Sequence, residues 1–236
     1  MKRIDPLRQN HTHRQPRRTY DALIIGAGQA GLSTAYHLRR RGLDCVVLEA
    51  AHRVGEHWRH QYDSLRLFTA NKFNHLPGYG FPGEPWGYST KDELAEALQD
   101  YAQRHEIPVE LDSPVVRLTR TSEGFRTATA TESYLSRTVV LAAGPFGQKP
   151  AIPDCAGDLD PSILQLHASQ YRRPGQLRPG PVLVVGGGHS GCDIVLEVAA
   201  AGHRATLSGR DLGQIPVRFS SPLIHLIMPM VMLQHA

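Results

Sequence analysis

The chain has 236 residues, 41% of them hydrophobic and 20% charged, with a net charge of +4, an ordinary globular composition that excludes a fibrous or low-complexity protein. The excess charge sits in the first 18 residues, where Lys2, Arg3, Arg8, Arg14, Arg17 and Arg18 face Asp5 alone. The remainder is near neutral and carries no basic stripe with interleaved aromatics, which speaks against a nucleic-acid partner.

Residues 1–18 are polar and contain Pro and His, and they read as a disordered leader. They lack the apolar core of a secretory signal, so the expected location is cytoplasmic. Tyr20 to Gly26 is a short apolar run ending in glycine, followed by a helical stretch to Arg41, the stop signal Gly42 and a second apolar run from Asp44 to Ala50: strand, helix, strand. A loop rich in Gly, Pro and aromatics spans about 54–88. Ser89 or Thr90 then caps a helix reaching about His105, on which Glu93, Glu96 and Asp100 fall at helical spacing and read as a solvated face. Strand-like pieces follow at Val109 to Leu111, Val115 to Thr119, Phe125 to Thr131 and Tyr134 to Ala142, a small β-meander over about 107–142 with a return strand. A Pro-rich connection leads to a strand at Val182 to Gly186, a helix to about Ala201, the stop signal Gly202 and a strand from Arg204 to Ser208.

The opening pattern has recurred. Gly26 and Gly186 stand 160 residues apart, and Thr34, Ala35 and Leu38 occupy the same offsets as Ile194, Val195 and Val198. The expected fold is therefore α/β, with two Rossmann-like dinucleotide-binding units and a small β-meander. Only 26 residues follow Arg210, fewer than such a unit usually needs to finish its sheet, so the second unit is expected to be incomplete. The expected boundaries are 1–18 for the leader, 19–150 for the first unit, 151–180 for a linker and 181–236 for the second. The apolar run from Pro222 to Leu233 is too short to span a bilayer and reads as a buried or interfacial helix, expected to be exposed and prone to self-association where later elements do not cover it. Cys45, Cys155 and Cys192 are far apart and form no CxxC, which speaks against a disulfide framework, a zinc site or a redox dithiol. The histidines show no HExxH or comparable spacing, and no metal site is expected.

In the first turn, Gly26-Ala27-Gly28-Gln29-Ala30-Gly31, the first glycine permits the tight bend, the second lets backbone approach a pyrophosphate, and the third lets the helix lie close on the sheet. The free N–H groups at the helix start favour the phosphate charge. Glu49 stands 21 residues after Gly28, at the end of the second strand, where a carboxylate accepts from both hydroxyls of an adenosine ribose. This turn suits FAD. The second turn, Gly186-Gly187-Gly188-His189-Ser190-Gly191, has no such acid: 19 residues after Gly191 stands Arg210. A guanidinium binds a 2′-phosphate bidentately, which selects NADP over NAD, the alternative being a solvated surface cation. The cofactor-binding candidates from the two turns are Gly26, Gly28, Gln29, Ala30, Gly31 and Glu49, and then Gly186, Gly188, His189, Ser190, Gly191 and Arg210. Two nucleotide sites imply electron transfer from NADPH to a bound flavin.

The residues between the turns resemble the class B flavoprotein monooxygenases, the group of bacterial flavin-containing-monooxygenase-like, YUCCA-like and Baeyer–Villiger proteins. Gly55-Glu56-His57-Trp58-Arg59 is similar to the family's GGxWR turn, with Glu56 in place of its second glycine. Tyr62-Asp63-Ser64-Leu65-Arg66-Leu67-Phe68-Thr69 resembles YDSLRLxT, and Leu76-Pro77-Gly78 through Phe81-Pro82 resembles LPGxxFP, segments that in the family pass close to the flavin ring. Leu141-Ala142-Ala143-Gly144 is similar to the ATG-type strand end, with Ala143 in the Thr position. His167 and Tyr171 match the second half of FxGxxxHxxx(W/Y), whose front half is degenerate here, and His167 also reads as an ordinary loop histidine. The resemblance adds Trp58, Arg66, Thr69, Val116, Ala143 and Gly144 to the cofactor-binding candidates. It implies an FAD- and NADPH-dependent monooxygenase in which a flavin C4a-peroxide formed from dioxygen oxygenates a small soft nucleophile or ketone. It names no catalytic side chain. An NADPH oxidase or reductase, and a truncated nucleotide-binding fragment without turnover, remain open beside it.

Overall fold

A computed structural model describes residues 19–144, 150–210 and 213. The leader, the apolar run at 222–233 and the self-association expected of it lie outside the described residues. The chain forms two compact units: the first holds the described residues of Met1–Gln61 and Thr69–Ala151, the second those of Tyr62–Phe68 and Ile152–Ala236.

The first unit is built on a six-stranded sheet. Its strands are β1 (Thr19–Ile25), β2 (Cys45–Leu48), β3 (Val109–Glu110), β4 (Arg117–Thr121), β5 (Gly124–Ala128) and β6 (Ser133–Leu141), in the spatial order β3-β2-β1-β6-β5-β4. β1 runs parallel to β2 and β6, and β3 extends the parallel part. Val109–Glu110 therefore belongs to the parallel sheet and not to the meander expected over 107–142. The Pro108 carbonyl accepts from Val47 N–H at 2.9 Å and the Glu110 carbonyl from Glu49 N–H at 2.9 Å, which draws this short run onto the free edge of β2. The meander is β4-β5-β6, and β6 serves twice, antiparallel to β5 and parallel to β1. The register sets Ile25 beside Leu48 on one side and Leu141 on the other. Three strand ends thus finish level, the edge at which ligands of open α/β sheets bind.

Helix α1 (Gln29–Arg39) follows β1 directly, and α2 (Glu56–Arg59) is a single turn. Helix α3 (Lys91–Arg104) starts at Thr90, whose side chain and that of Glu93 form a reciprocal capping box, satisfying two of the N–H groups that every helix start leaves open. Its buried residues Leu94, Ala95, Leu98, Tyr101 and Ala102 follow the 3.6-residue period. Asp100, expected to be solvated, accepts from Tyr79 Oη at 2.7 Å and Arg104 Nε at 2.9 Å, and Tyr101 Oη donates to the Pro77 carbonyl at 3.0 Å. The Leu76–Phe81 loop is thereby fastened to α3. Gly78 in it has φ +74°, and a Cβ there would sit 2.2 Å from the Tyr36 hydroxyl, so the LPG turn admits only glycine.

The second unit contains β7 (Val182–Val185), α4 (His189–Ala200) and β8 (Ala205–Ser208), with β7 and β8 parallel. α4 covers one face of this pair. Its buried Ile194 and Val198 form a core with Tyr62 and Tyr171, against which Leu65, Leu177, Val182, Val184 and Ala205 pack. Tyr171, within the stretch 151–180 expected as a linker, thus supplies core, and Tyr62–Phe68 packs here although its neighbours in sequence lie in the first unit. Among the described residues no helix is long and apolar enough to cross a membrane.

Candidate functional site

Both glycine turns have the strand-turn-helix geometry that their spacing predicts. Gly26 adopts φ +104° and Gly186 φ +111°, left-handed backbone that disfavours any side chain. A Cβ on Gly31 would lie 1.9 Å from the Gly26 carbonyl oxygen, and one on Gly191 would lie 1.9 Å from that of Gly186. Each helix is therefore seated on its own turn with room for hydrogen alone. Gly28 and Gly188 differ in kind, since nothing stands within 4 Å of a Cβ at either. Their lack of a side chain leaves open space in front of the helix, where a pyrophosphate would approach.

The helix starts are open too. Gly28 caps α1 and Gly188 caps α4, neither with a side-chain hydrogen bond, and neither helix has an acid in its first turn. α3, by contrast, carries a reciprocal capping box at its start. Uncapped N–H groups at the positive end of a helix dipole favour an anion. Gln29, Ala30, His189 and Ser190 occupy the first helical positions of the two turns.

At the first turn Glu49 is fixed at both oxygens: Ala27 N–H donates to Oε2 at 2.7 Å and Ala51 N–H to Oε1 at 3.0 Å. The carboxylate is tied to the glycine turn itself, with lone pairs remaining for the two ribose hydroxyls. Ala27 and Ala51 were not legible as site residues, because they act only through their backbone. The end of β6 also reaches the turn: Ala142 N–H donates to the Ile25 carbonyl at 2.9 Å, and a Cβ on Gly26 would meet the Ala142 oxygen at 2.4 Å and Ala143 Cα at 3.2 Å. Ala143 is thereby brought beside Gly26, followed by Gly144 at φ +70°. Val116 is more peripheral. It is 58% exposed and its N–H donates to the Ala128 carbonyl at 2.9 Å, just beyond Ser113, whose N–H reaches the Glu49 carbonyl at 2.8 Å.

The Gly55–Arg59 turn shows why glutamate stands at position 56. Gly55 has φ +81°, and a Cβ on it would lie 2.7 Å from the Ala95 carbonyl oxygen of α3; this glycine is required. The next position is free to carry a side chain, and Glu56 turns inward to pair with Arg53, His52 and His60. The Arg53 hydrogen bond, with help from the Arg53, His52 and His60 charges against opposing burial, holds the Glu56 carboxyl below its usual range. Arg59 is structural, donating to the Val54 carbonyl at 2.6 Å and Gln99 Oε1 at 3.2 Å. Half-buried Trp58 packs its ring edge-on to His57, with centroids 6.1 Å apart. Burial and the neighbouring His60 lower the His57 pKa, and the Glu49 charge opposes them. Thr69 Oγ1 donates to Asn74 Oδ1 at 2.5 Å, closing a local turn in the first unit, whereas Arg66 belongs to the second.

At the second turn the position equivalent to Glu49 is Gly209, because Gly26 N–H donates to the Leu48 carbonyl at 2.8 Å and Gly186 N–H to the Ser208 carbonyl at 2.7 Å. A Cβ on Gly209 would lie 2.6 Å from Gly187 N, so this backbone excludes every side chain from the ribose-acid position. Arg210 follows at once. Its carbonyl oxygen stands 3.0 Å from where a Gly187 Cβ would be, which puts the residue against the turn, and it is exposed.

Among the described residues, Tyr62, Phe68 and Tyr171 also contact α4. Tyr62 Oη donates to Asp193 Oδ2 at 2.6 Å and Tyr171 Oη to Glu197 Oε2 at 2.8 Å; burial first, then these carboxylates, raise both phenol pKa values. Phe68 stacks on His189 with centroids 5.5 Å apart and planes 14° from parallel. His167 caps its own loop through Ser169 Oγ at 2.8 Å. Two concavities, of about 830 Å³ around Pro181 and Arg204 and about 350 Å³ around Tyr20 and Cys45, lie at the opposite ends of the strands, and we assign them no part in nucleotide binding.

Comparison with known proteins agrees with this geometry. Residues 23–227 match the family model described as pyridine nucleotide-disulphide oxidoreductase. An uncharacterized CzcO-like oxidoreductase of Geobacillus kaustophilus is 45% identical over 179 residues, covering 76% of this chain and 51% of that protein. The indole-3-pyruvate monooxygenase YUCCA6 of Arabidopsis thaliana is 32% identical over 221 residues, covering 85% of this chain and 52% of that protein. A flavin-containing monooxygenase from Stenotrophomonas maltophilia superposes with a TM-score of 0.75 at 31% identity, over 80% of this chain and 57% of that one. The chain spans about half the length of the curated relatives it matches. With its two glycine turns in place and its family model matched over most of its length, the chain belongs to the pyridine nucleotide-disulphide oxidoreductase family.

Proposed function

We propose that the chain binds FAD at the Gly26–Gly31 turn and NADPH at the Gly186–Gly191 turn, and serves a flavin-dependent monooxygenase acting on a small molecule and dioxygen. The observation that carries this reading is the exchange at one equivalent position. Glu49, held by two backbone N–H groups, meets a bare ribose diol. Gly209 forbids a side chain there, and Arg210 beside it offers a guanidinium to a 2′-phosphate. Bound FAD supplies the capacity to accept a hydride from NADPH and pass electrons to dioxygen. The chain's own residues hold the phosphates on two uncapped helix starts, orient the adenosines by opposite charges and set the backbone of Ala143 beside the first turn. The monooxygenase names carried by YUCCA6 and by the Stenotrophomonas protein favour oxygen transfer.

The family description also names disulphide chemistry, but the cysteines of this chain do not form its dithiol. Cys45, Cys155 and Cys192 are free, and Cys45 is buried, its pKa raised chiefly by that burial, which removes the nucleophilic thiolate. Free thiols fit a reducing compartment, and we place the protein in the cytoplasm. Titration of FAD into the purified chain, followed by flavin absorbance, tests the first site; a protein that takes up no flavin overturns the proposal. Oxygenation of a sulfide coupled to NADPH consumption is the expected activity, and consumption yielding only hydrogen peroxide would assign an oxidase.

A further inference from the structure

We propose that Phe68 is a positioning residue for the pyrophosphate end of NADP, acting through His189. The inference rests on the reading of the Gly186–Gly191 turn as the NADP site. Four of the turn's six residues are glycine, and His189 is its only bulky side chain. It opens α4 directly after the Gly188 cap, at the rim of the space where the pyrophosphate would lie. An exposed ring at a helix start is free to turn between rotamers. Here it lies nearly parallel to the Phe68 ring, within the offset-stacking range.

The position of Phe68 is not accidental to the loop. Tyr62 is 4% exposed in the core of the second unit and bonded to Asp193; Leu65 packs against the same core, and Asp63 N–H donates to the Arg172 carbonyl at 2.8 Å. Asp193 and His189 are four residues apart on α4 and so share a face. Tyr62–Phe68 therefore runs along that face as a strap, anchored at Tyr62 and ending on His189. Phe68 itself is 57% exposed, a large apolar ring that contributes little to any core. Fixing the imidazole before the ligand arrives removes the entropy of ordering it on binding.

The test uses the full chain and two probes. NADP⁺ spans the whole site, whereas adenosine 2′-monophosphate engages the Arg210 end and carries neither 5′-phosphate nor nicotinamide half. Calorimetric titration of Phe68→Ala is expected to show NADP⁺ binding weakened roughly fivefold, the scale of one aromatic pair, with 2′-monophosphate binding within about twofold of the parent. Phe68→Tyr, which keeps the stacking face, is expected to restore NADP⁺ affinity, and His189→Ala to match Phe68→Ala with no further loss in the double variant. Unchanged NADP⁺ affinity in Phe68→Ala, equal loss on both probes, or additive losses in the double variant would overturn the role of Phe68 and leave the NADP site standing. A parent protein that binds neither probe would overturn the site and this role together.

Discussion

The first and second glycine turns share a backbone and a helix, yet their surroundings diverge. Leu23 of β1 is 0% exposed, while its counterpart Leu183 of β7 is 62% exposed; Tyr36 of α1 is 9% exposed, while Leu196 of α4, at the same offset, is 69% exposed. In the first unit β2, β6 and the meander surround β1, and Tyr36 packs with Tyr101 and His105 of the α3 region. In the second, α4 covers one face of a two-stranded sheet, and Leu183, Val185 and Leu207 remain bare on the described structure. Parallel strands are normally buried on both faces. The same local sequence pattern therefore gives the same turn whether or not its sheet is fully covered, because the turn is held by contacts within the strand-turn-helix itself.

This contrast predicts unequal responses to equivalent substitutions. The largest difference is expected between Gly26→Ala and Gly186→Ala. Both meet backbone strain of about 1–3 kcal/mol, but only at position 26 would the new Cβ also collide with β6, at 2.4 Å from Ala142 O, adding roughly 1–3 kcal/mol of overpacking. Denaturant unfolding should show the greater loss for Gly26→Ala, and equal losses would break the comparison. Gly28→Ala, facing open space, should leave unfolding unchanged while reducing FAD uptake.

Arg210→Ala should weaken NADP⁺ binding by about 10- to 100-fold, the range for a lost charge-assisted pair, with NAD⁺ affinity unchanged. Gly209→Glu should not create an NAD⁺ site, since its Cβ would strike Gly187 N at 2.6 Å; a gain in NAD⁺ affinity seen by calorimetry would show that this backbone yields. Glu49→Gln turns an amide NH₂ toward the N–H of Ala27 or Ala51 and should weaken FAD binding about tenfold, as one lost charged acceptor does. It should leave NADP⁺ titration unaffected.

Smaller effects separate the units by pH. Tyr62→Phe and Tyr171→Phe each remove a hydroxyl bonded to α4 and should lower stability by about 1 kcal/mol. Because the folded phenol pKa values are raised, this contribution is present below the unfolded value near 10 and is lost as pH rises through the folded one. Tyr79, in the first unit, has its phenol pushed up to about 12, first by burial and then by Asp100, so its loss should fall between about pH 10 and 12. Glu56 acts in the opposite direction. Its lowered pKa makes its contribution present above the unfolded value near 4.3 and lost as pH falls through the folded one, so Glu56→Gln should flatten the acid limb of a melting-temperature profile. The effect is expected to be slight, because Arg53, His52 and His60 are exposed by 47–63% and such pairs contribute little.

Several site features were legible because they are steric or electrostatic facts of a few adjacent residues. The two GxGxxG spacings and the opposite charges of Glu49 and Arg210 could each be read in place, and the α3 start was narrowed to Ser89 or Thr90. Gly209 could have been read as well: aligning Gly186 to Gly26 puts it opposite Glu49. Val109–Glu110 was harder. Its short apolar run fits a meander or a parallel edge equally, and only the open edge of β2 decides. Phe68 and Tyr62 could not be assigned to α4, because nothing in YDSLRLF says which surface receives it.

The sequence by itself determined the order of strand, turn and helix, the bareness of the two helix starts and the charge that stands at the end of each unit's second strand, since these follow from backbone sterics and side-chain chemistry over short spans. Tertiary structure alone decided which apolar residues are buried, which unit holds Tyr62–Phe68, and that Glu49 is clamped by Ala27 and Ala51. Burial and clamping depend on what other parts of the chain are brought alongside, and no local pattern encodes the identity of those neighbours.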